Sequence, residues 1–281
     1  MENEFEHDMV FLTSLTSGHS MQVVDDVICL TTKIVNVLYV QHPGRSDGFT
    51  LVDAGVPNSA DEIIGLAEQI FGPNARPDAI ILTHGHFDHV GSVIELIEAW
   101  NVPVFAHLQE LPFLQGKADY PPGDPSAASG LVAKLSPVFP NQGINLDNHV
   151  QALPNDGRVP GMPGWRWIHT PGHTPGHISL YRESDRTLIA GDAFITVVQE
   201  SLYDVFTQKR EIHGPPAYFT SDWESAWVSV QKLASLEPEA AVTGHGLPMY
   251  GDELITGLHD LALHFNETQI PKDRRGGTRV N

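Results

Sequence analysis

Seven residues, Thr83 to His89, read THGHFDH and crowd the side chains of His84, His86, Asp88 and His89 into six consecutive positions. Their neighbours fix where they stand. The apolar run Ala79 to Leu82 follows a turn signal at Asn74 to Asp78 and has the length of a buried strand. Beyond the cluster, Val90, Val93, Ile94 and Ile97 recur at helical spacing, which predicts a helix from about 89 to 100. The four polar residues therefore occupy a strand-to-helix loop. His84 and His86 are two apart and project to one side of an extended backbone, with Gly85 between them allowing a tight bend. Two ring nitrogens can then converge on one cation, while Asp88 and His89, further round the turn, can face a second. Neutral imidazole and carboxylate suit zinc, iron or manganese, and crowded on one turn without a cation they would be mutually unhelpful.

The rest of the chain alternates strands with helices. Residues 21 to 41 are rich in β-branched and aromatic side chains and predict two or three strands. Phe49 to Asp53 predicts another, with a helix after it through Ile63, Ile64, Leu66, Ala67 and Ile70, and Val102 to Ala106 one more. From Glu110 to Gly164 repeated prolines interrupt the pattern; a short helix over roughly 126 to 135 is predicted, and the segment 110–164 reads as a lid or binding insertion. Order returns at Trp165 to His169. Thr170 to His177 then reads TPGHTPGH, where the Pro-Gly pairs hold His173 by turn chemistry. A hairpin is predicted over Ile178 to Ala190, closing on Gly191-Asp192. Phe194 to Thr220 is irregular and a second lid candidate. Helices are predicted over 223 to 236 and 252 to 265, separated by a strand, Ala240 to Thr243, that runs into Gly244-His245-Gly246. We read residues 1–281 as one layered α/β domain, with a basic tail at 271–281 that is mobile or packs as a cap.

Charge narrows the partners. With 35 acidic against 16 basic residues the formal net charge is -19, which repels phosphate backbones and anionic membranes, so a small-molecule substrate is expected and nucleic acid is not. The first ten residues lack the order of a secretory signal, no stretch approaches 18 apolar residues, and the single cysteine, Cys29, sits in an apolar run. A cytoplasmic protein without membrane association is expected, and a homo-oligomer is left open.

Taken together, THGHFDH, His173 in TPGHTPGH, Asp192 in AGDA and His245 in TGHG resemble the metallo-β-lactamase superfamily, whose signature is HxHxDH followed by a histidine, an aspartate and a final histidine. Asp53 in LVDAG matches that family's early aspartate. The resemblance implies a four-layer αββα sandwich, two mixed β-sheets face to face with helices outside and a metal site at the sheet edge. It also implies that His84, His86 and His173 hold one divalent ion, that Asp88, His89 and His245 hold another, and that Asp192 bridges them. Asp53 would then accept a ring N–H behind a ligand. Asp88 would take up a proton as the reaction intermediate collapses, which makes Asp88 and Asp192 the catalytic candidates. Zinc is the default ion, with Mn2+ or Fe2+ fitting the same donors. The family uses the first histidine of the PGH pair, so His177 is left as a supporting residue.

The resemblance further implies a metal-dependent hydrolase in which a hydroxide bridging two ions cleaves a carboxylic ester, lactone or thioester, as in the hydroxyacylglutathione hydrolase and acyl-homoserine lactonase branches. Neither named substrate follows, because Ile195 stands where such lactonases often carry tyrosine and the basic C-terminal end does not match the glutathione-binding spacing. Tyr120, Tyr203 and Tyr218, in irregular segments, are candidate oxyanion donors. The alternatives are a metal-dependent phosphodiesterase and a mononuclear-iron dioxygenase of the same fold.

Overall fold

Strands buried on both faces present alternate side chains to different layers, and the computed structural model, which describes residues 14–128, 131–197 and 210–275, shows this sorting directly. Seven strands lie side by side in chain order: β1 (Ser20–Val24), β2 (Val27–Thr32), β3 (Val35–Gln41), β4 (Phe49–Val52), β5 (Ile80–Ile81), β6 (Val104–Ala106) and β7 (Val150–Ala152). β1 to β4 pair antiparallel and β4 to β7 parallel. The second sheet has the order β12 (Met249–Tyr250), β11 (Ala240–Val242), β10 (Thr187–Ile189), β9 (Ile178–Arg182) and β8 (Trp165–His169), with only β10 and β11 parallel.

Leu38, Val40, Val52 and Ile81 of the first sheet meet Ile178, Leu180, Ile189 and Val242 of the second in a core between the sheets. Their sequence neighbours turn the other way. Val37, Tyr39, Leu51 and Ile80 pack outward under helices α1 (Ala60–Phe71) and α3 (Val93–Trp100), and Tyr181, Leu188 and Ala241 pack under α6 (Trp223–Ala234) and α7 (Gly251–Thr268). The result is the expected αββα sandwich of two mixed sheets. No helix among the described residues is long and apolar enough to cross a membrane.

Three local expectations change. The helix predicted from 89 to 100 is two, α2 (Phe87–Val90) and α3, because Ser92 turns its hydroxyl away to donate to Val56 O and accept from Ser59 N, both at 2.8 Å. Of the helix predicted over 126 to 135, residues 131–135 form α5 (Leu131–Leu135), while the Asp124 carboxylate captures the Ser126 N–H and hydroxyl and sets a turn at 126 instead. A further short helix, α4 (Leu111–Leu114), opens the proline-rich segment. In the C-terminal segment Arg274 pairs with Asp124, which joins residues 271–275 to that proline-rich segment; residues 276–281 lie outside the described residues.

Candidate metal centre

The loops that leave β4, β5, β8, β10 and β11 all emerge at one edge of the sandwich; the one after β5 delivers four of the singled-out side chains and each of the others one. Strand ends supply them because the sheets behind are rigid and the loops are short. Asp53 follows β4, the THGHFDH residues follow β5, His173 lies between β8 and β9, Asp192 follows β10 and His245 follows β11.

His86 Nδ1 lies 3.1 Å from His84 Nε2 and 2.9 Å from His173 Nε2. Four donors held tetrahedrally at about 2.0–2.1 Å from a zinc-sized ion stand roughly 3.3 Å apart. The three histidines thus already frame one such position. Asp192 Oδ2 is 3.5 Å from His89 Nε2, 3.5 Å from His173 Nε2 and 3.3 Å from His245 Nε2, so one carboxylate oxygen reaches toward both groups of ligands. Asp88 Oδ2, 3.3 Å from His245 Nε2 and 4.0 Å from His89 Nε2, completes the second group. His84, His86 and His173, and likewise Asp88, His89 and His245, each bring their donor atoms within 4.8 Å of one another.

The far side of four rings decides which nitrogen carries the lone pair. Asp53, held at φ 62 just past β4, accepts the His89 Nδ1–H at 2.8 Å, which makes Nε2 the nitrogen that faces inward toward a cation. His245 Nδ1 donates to Ile34 O at 2.9 Å. Thr83 gives its hydroxyl proton to Asp53 Oδ2, so its oxygen accepts from His84 Nδ1 at 3.1 Å. Thr220 likewise donates to Pro216 O and accepts from His173 Nδ1 at 3.4 Å. His177, left as a supporting residue above, accepts the Asp192 backbone N–H on Nε2 at 2.8 Å and so fixes the loop that carries Asp192.

The electrostatics match a cation site. Burial pushes His84 and His173 well below the ordinary imidazole value and His86 down to about 4, so all three offer lone pairs at neutral pH. Burial acts the same way on His245, but the carboxylates of Asp192 and Asp88 outweigh it and push the group up to about 10. Asp192 itself, whose burial works against ionisation, is held well below the carboxylate range by His245 and His89. His89 Nε2 and Asp192 Oδ1 are buried with no hydrogen-bond partner, a cost of about 1–3 kcal/mol each that a bound cation would remove. The residues fit a pair of divalent ions.

A pH dependence follows for the metal-free protein. The folded value of His245, about 10, lies above its ordinary 6.5, so its stabilising contribution is complete below pH 6.5 and is lost as pH rises through about 10. The unfolding temperature of chelator-treated protein is expected to fall between pH 7 and 10. With zinc present the same scan is expected to be flatter, because the cation takes the proton's place. Metal-free stability that rises over this window would contradict the assignment.

Two other expectations meet the structure differently. The Tyr120 hydroxyl is engaged by the buried carboxylate of Glu110 and is not available as an oxyanion donor. Tyr218 is buried beside Ile34, Val132 and Ala133, and Tyr203 lies outside the described residues. Sequence reasoning missed Glu110, Thr83, Thr220 and Asn36. Asn36 donates from Nδ2 to Thr243 O at 2.9 Å and to Gly246 O at 2.7 Å, clasping the loop that carries His245. Thr83 opens THGHFDH without being one of its histidines or its aspartate, and Glu110, Thr220 and Asn36 belong to no motif or periodic pattern.

Comparison with known proteins agrees with this geometry. Residues 30–245 match the family model of the metallo-β-lactamase superfamily. The chain is 55% identical over 251 residues to the probable metallo-hydrolase YflN of Bacillus subtilis, covering 89% of this chain and 95% of that protein. Among solved structures it is similar to TTHA1623 in a di-iron-bound form, with 28% identity, a TM-score of 0.54, and coverage of 77% of this chain and 89% of that one. The fold is also that of BJP-1, a subclass B3 metallo-β-lactamase of Bradyrhizobium japonicum, at 18% identity and a TM-score of 0.58 over 91% of this chain and 94% of that one. Sandwich, converging imidazoles, matched family model and a relative sharing more than half its residues lead to one statement: the chain belongs to the metallo-β-lactamase superfamily, as a metallo-hydrolase.

Proposed function

We propose that this hydrolase acts on a carboxylic ester, lactone or thioester with an apolar acyl part, using two divalent ions, with zinc as the ion it carries. The observation that carries this reading is an aromatic wall beside the metal ligands. Phe219 lies 4.8 Å from the His86 ring, and Phe87, Phe139 and Phe219 contact one another at centroid distances of 6.0–6.4 Å. All three are only half-buried, so part of each ring is open to a ligand. Such a surface favours a neutral, apolar group over the charged diester of the phosphodiesterase alternative.

Bound ions of this kind lower the pKa of a shared water toward about 7 and polarise an acyl oxygen. The chain's own part is orientation and proton handling. The Asp53, Ile34, Thr83 and Thr220 contacts hold four rings in one tautomer. Asp88 keeps its carboxylate ionised: burial opposes this, but His89 and His245 outweigh burial and hold the group below its usual range. Its Oδ2 can therefore receive a proton and pass it to the leaving oxygen or sulfur.

The test is a panel of lactones, thioesters, aryl esters and bis-aryl phosphodiesters with zinc-loaded and chelated protein. Carboxylic substrates are expected to turn over, better with longer acyl chains, and chelation is expected to abolish activity. Phe219→Ala is expected to raise KM about tenfold for long acyl chains, the loss of roughly 1.4 kcal/mol of apolar contact, and to leave an acetyl ester almost unchanged. Turnover of phosphodiesters alone would overturn the reading.

A further inference from the structure

Glu110 stands at the start of the proline-rich segment, fully buried, and its carboxylate is surrounded by donors from three separate stretches of chain. Oε2 accepts from the Gly85 N–H at 3.0 Å and from the Tyr120 hydroxyl. Oε1 accepts from the Thr174 hydroxyl at 2.8 Å and from the Gly176 N–H at 2.8 Å. Gly85 is the residue between His84 and His86, and Thr174 follows His173 directly. One side chain thus joins the two loops that supply all three ligands of the first metal position, although His86 and His173 are 87 residues apart.

We propose that Glu110 is a positioning residue for this metal position, its carboxylate tying the Gly85 turn to the Thr174–Gly176 turn so that the three imidazoles converge. The role rests on the reading of those histidines as one cation site. Each oxygen meets one backbone N–H, a donor that cannot reverse its polarity, and one hydroxyl. A carboxylate satisfies all four, whereas a carboxamide would set its NH2 against either Gly85 N–H or Gly176 N–H. Gly85 shows how tightly the clamp is built. It does not adopt the left-handed conformation, so a sharp bend is not what demands glycine there; a Cβ at this position would stand 2.4 Å from the Tyr120 hydroxyl oxygen and 3.4 Å from Glu110 Oε2. Among the described residues Glu110 accepts from no member of the Asp88, His89 and His245 group, in which Asp53 accepts from His89 and Ile34 O from His245.

Selectivity between the two positions is therefore what Glu110→Gln tests. Stepwise zinc affinities from chelator competition, with the occupancy of each position read from anomalous scattering in crystals equilibrated with limiting zinc, separate the two. The three-histidine position is expected to weaken about 10–100-fold and the other to change by less than about threefold. Thr174→Val removes one donor without changing size and is expected to weaken the same position by about threefold. It decides the matter if Glu110→Gln fails to fold. Equal weakening at both positions that follows the fall in metal-free unfolding temperature would make Glu110 merely structural and overturn the proposal. Unchanged affinities in Glu110→Gln, with wild-type protein binding two ions, would overturn the clamp alone. Wild-type protein that binds no zinc would overturn both the clamp and the metal reading beneath it.

Discussion

Asp192→Ala is expected to lower kcat/KM at least about a thousandfold, some 4 kcal/mol of transition-state stabilisation, and to leave the protein with no more than one tightly held ion. The side chain's Oδ2 is the atom that approaches His89, His173 and His245 Nε2 at 3.3–3.5 Å, so its removal takes a ligand from both positions together. It also removes the negative charge that would offset the repulsion between two cations held side by side. The backbone N–H of residue 192 remains bound to His177 Nε2, so the loop itself has reason to hold its course. Metal content by mass spectrometry of the native protein, steady-state kinetics on an ester substrate and far-ultraviolet circular dichroism would check the three parts separately. Wild-type zinc stoichiometry in a folded Asp192→Ala protein would show that the aspartate bridges nothing.

The second large effect comes from a residue with no side chain. A Cβ on Gly244 would stand 2.0 Å from Asp192 Oδ1 and 2.7 Å from His89 Cε1, the first far inside any tolerable contact. Neither neighbour is a flexible end. His89 is held by Asp53 and Asp192 by its own buried loop. The backbone of Gly244 has nowhere to retreat, because its N–H donates to Gly191 O and its carbonyl accepts from Asn36 N, each at 2.8 Å. Gly244→Ala should therefore displace Asp192, with a loss of about 1–3 kcal/mol in stability from overpacking and a fall in activity of at least about a hundredfold. Thermal unfolding and kinetics at saturating zinc would measure both. Alanine tolerated at near wild-type activity would mean that the site is much looser than these contacts require.

The residues that the structure gathers at the sheet edge, Asp53 among them, were legible in sequence because strand ends concentrate them in short runs with recognisable neighbours. The sandwich was legible for a related reason: apolar runs such as Ala79 to Leu82 sit between turn signals, and alternation in Val35–Gln41 sorts side chains into two layers. What sequence could not give were partnerships made at long range. Glu110 reads as one acid in a broken stretch, and Asn36 as a polar interruption in a strand. Their meaning lies in which backbone groups the fold brings to them. β7 and β12, three and two residues long, carry too little pattern to stand out from loop. The split between α2 and α3 was hidden because Val90, Val93, Ile94 and Ile97 keep helical spacing across a break set by Ser92.

The clasp made by Asn36 has a kinetic side. Its bonds to Thr243 O and Gly246 O, and that of His245 to Ile34 O, join residues separated by 207, 210 and 211 positions. Contacts that distant carry a large loop-closure entropy and form slowly. A partly refolded chain is accordingly expected to lack His245 in place and to hold a cation less tightly than the folded one. Tight capture then becomes a signal that the last segment has arrived, and the rate of zinc uptake during refolding would follow the docking of one sheet on the other.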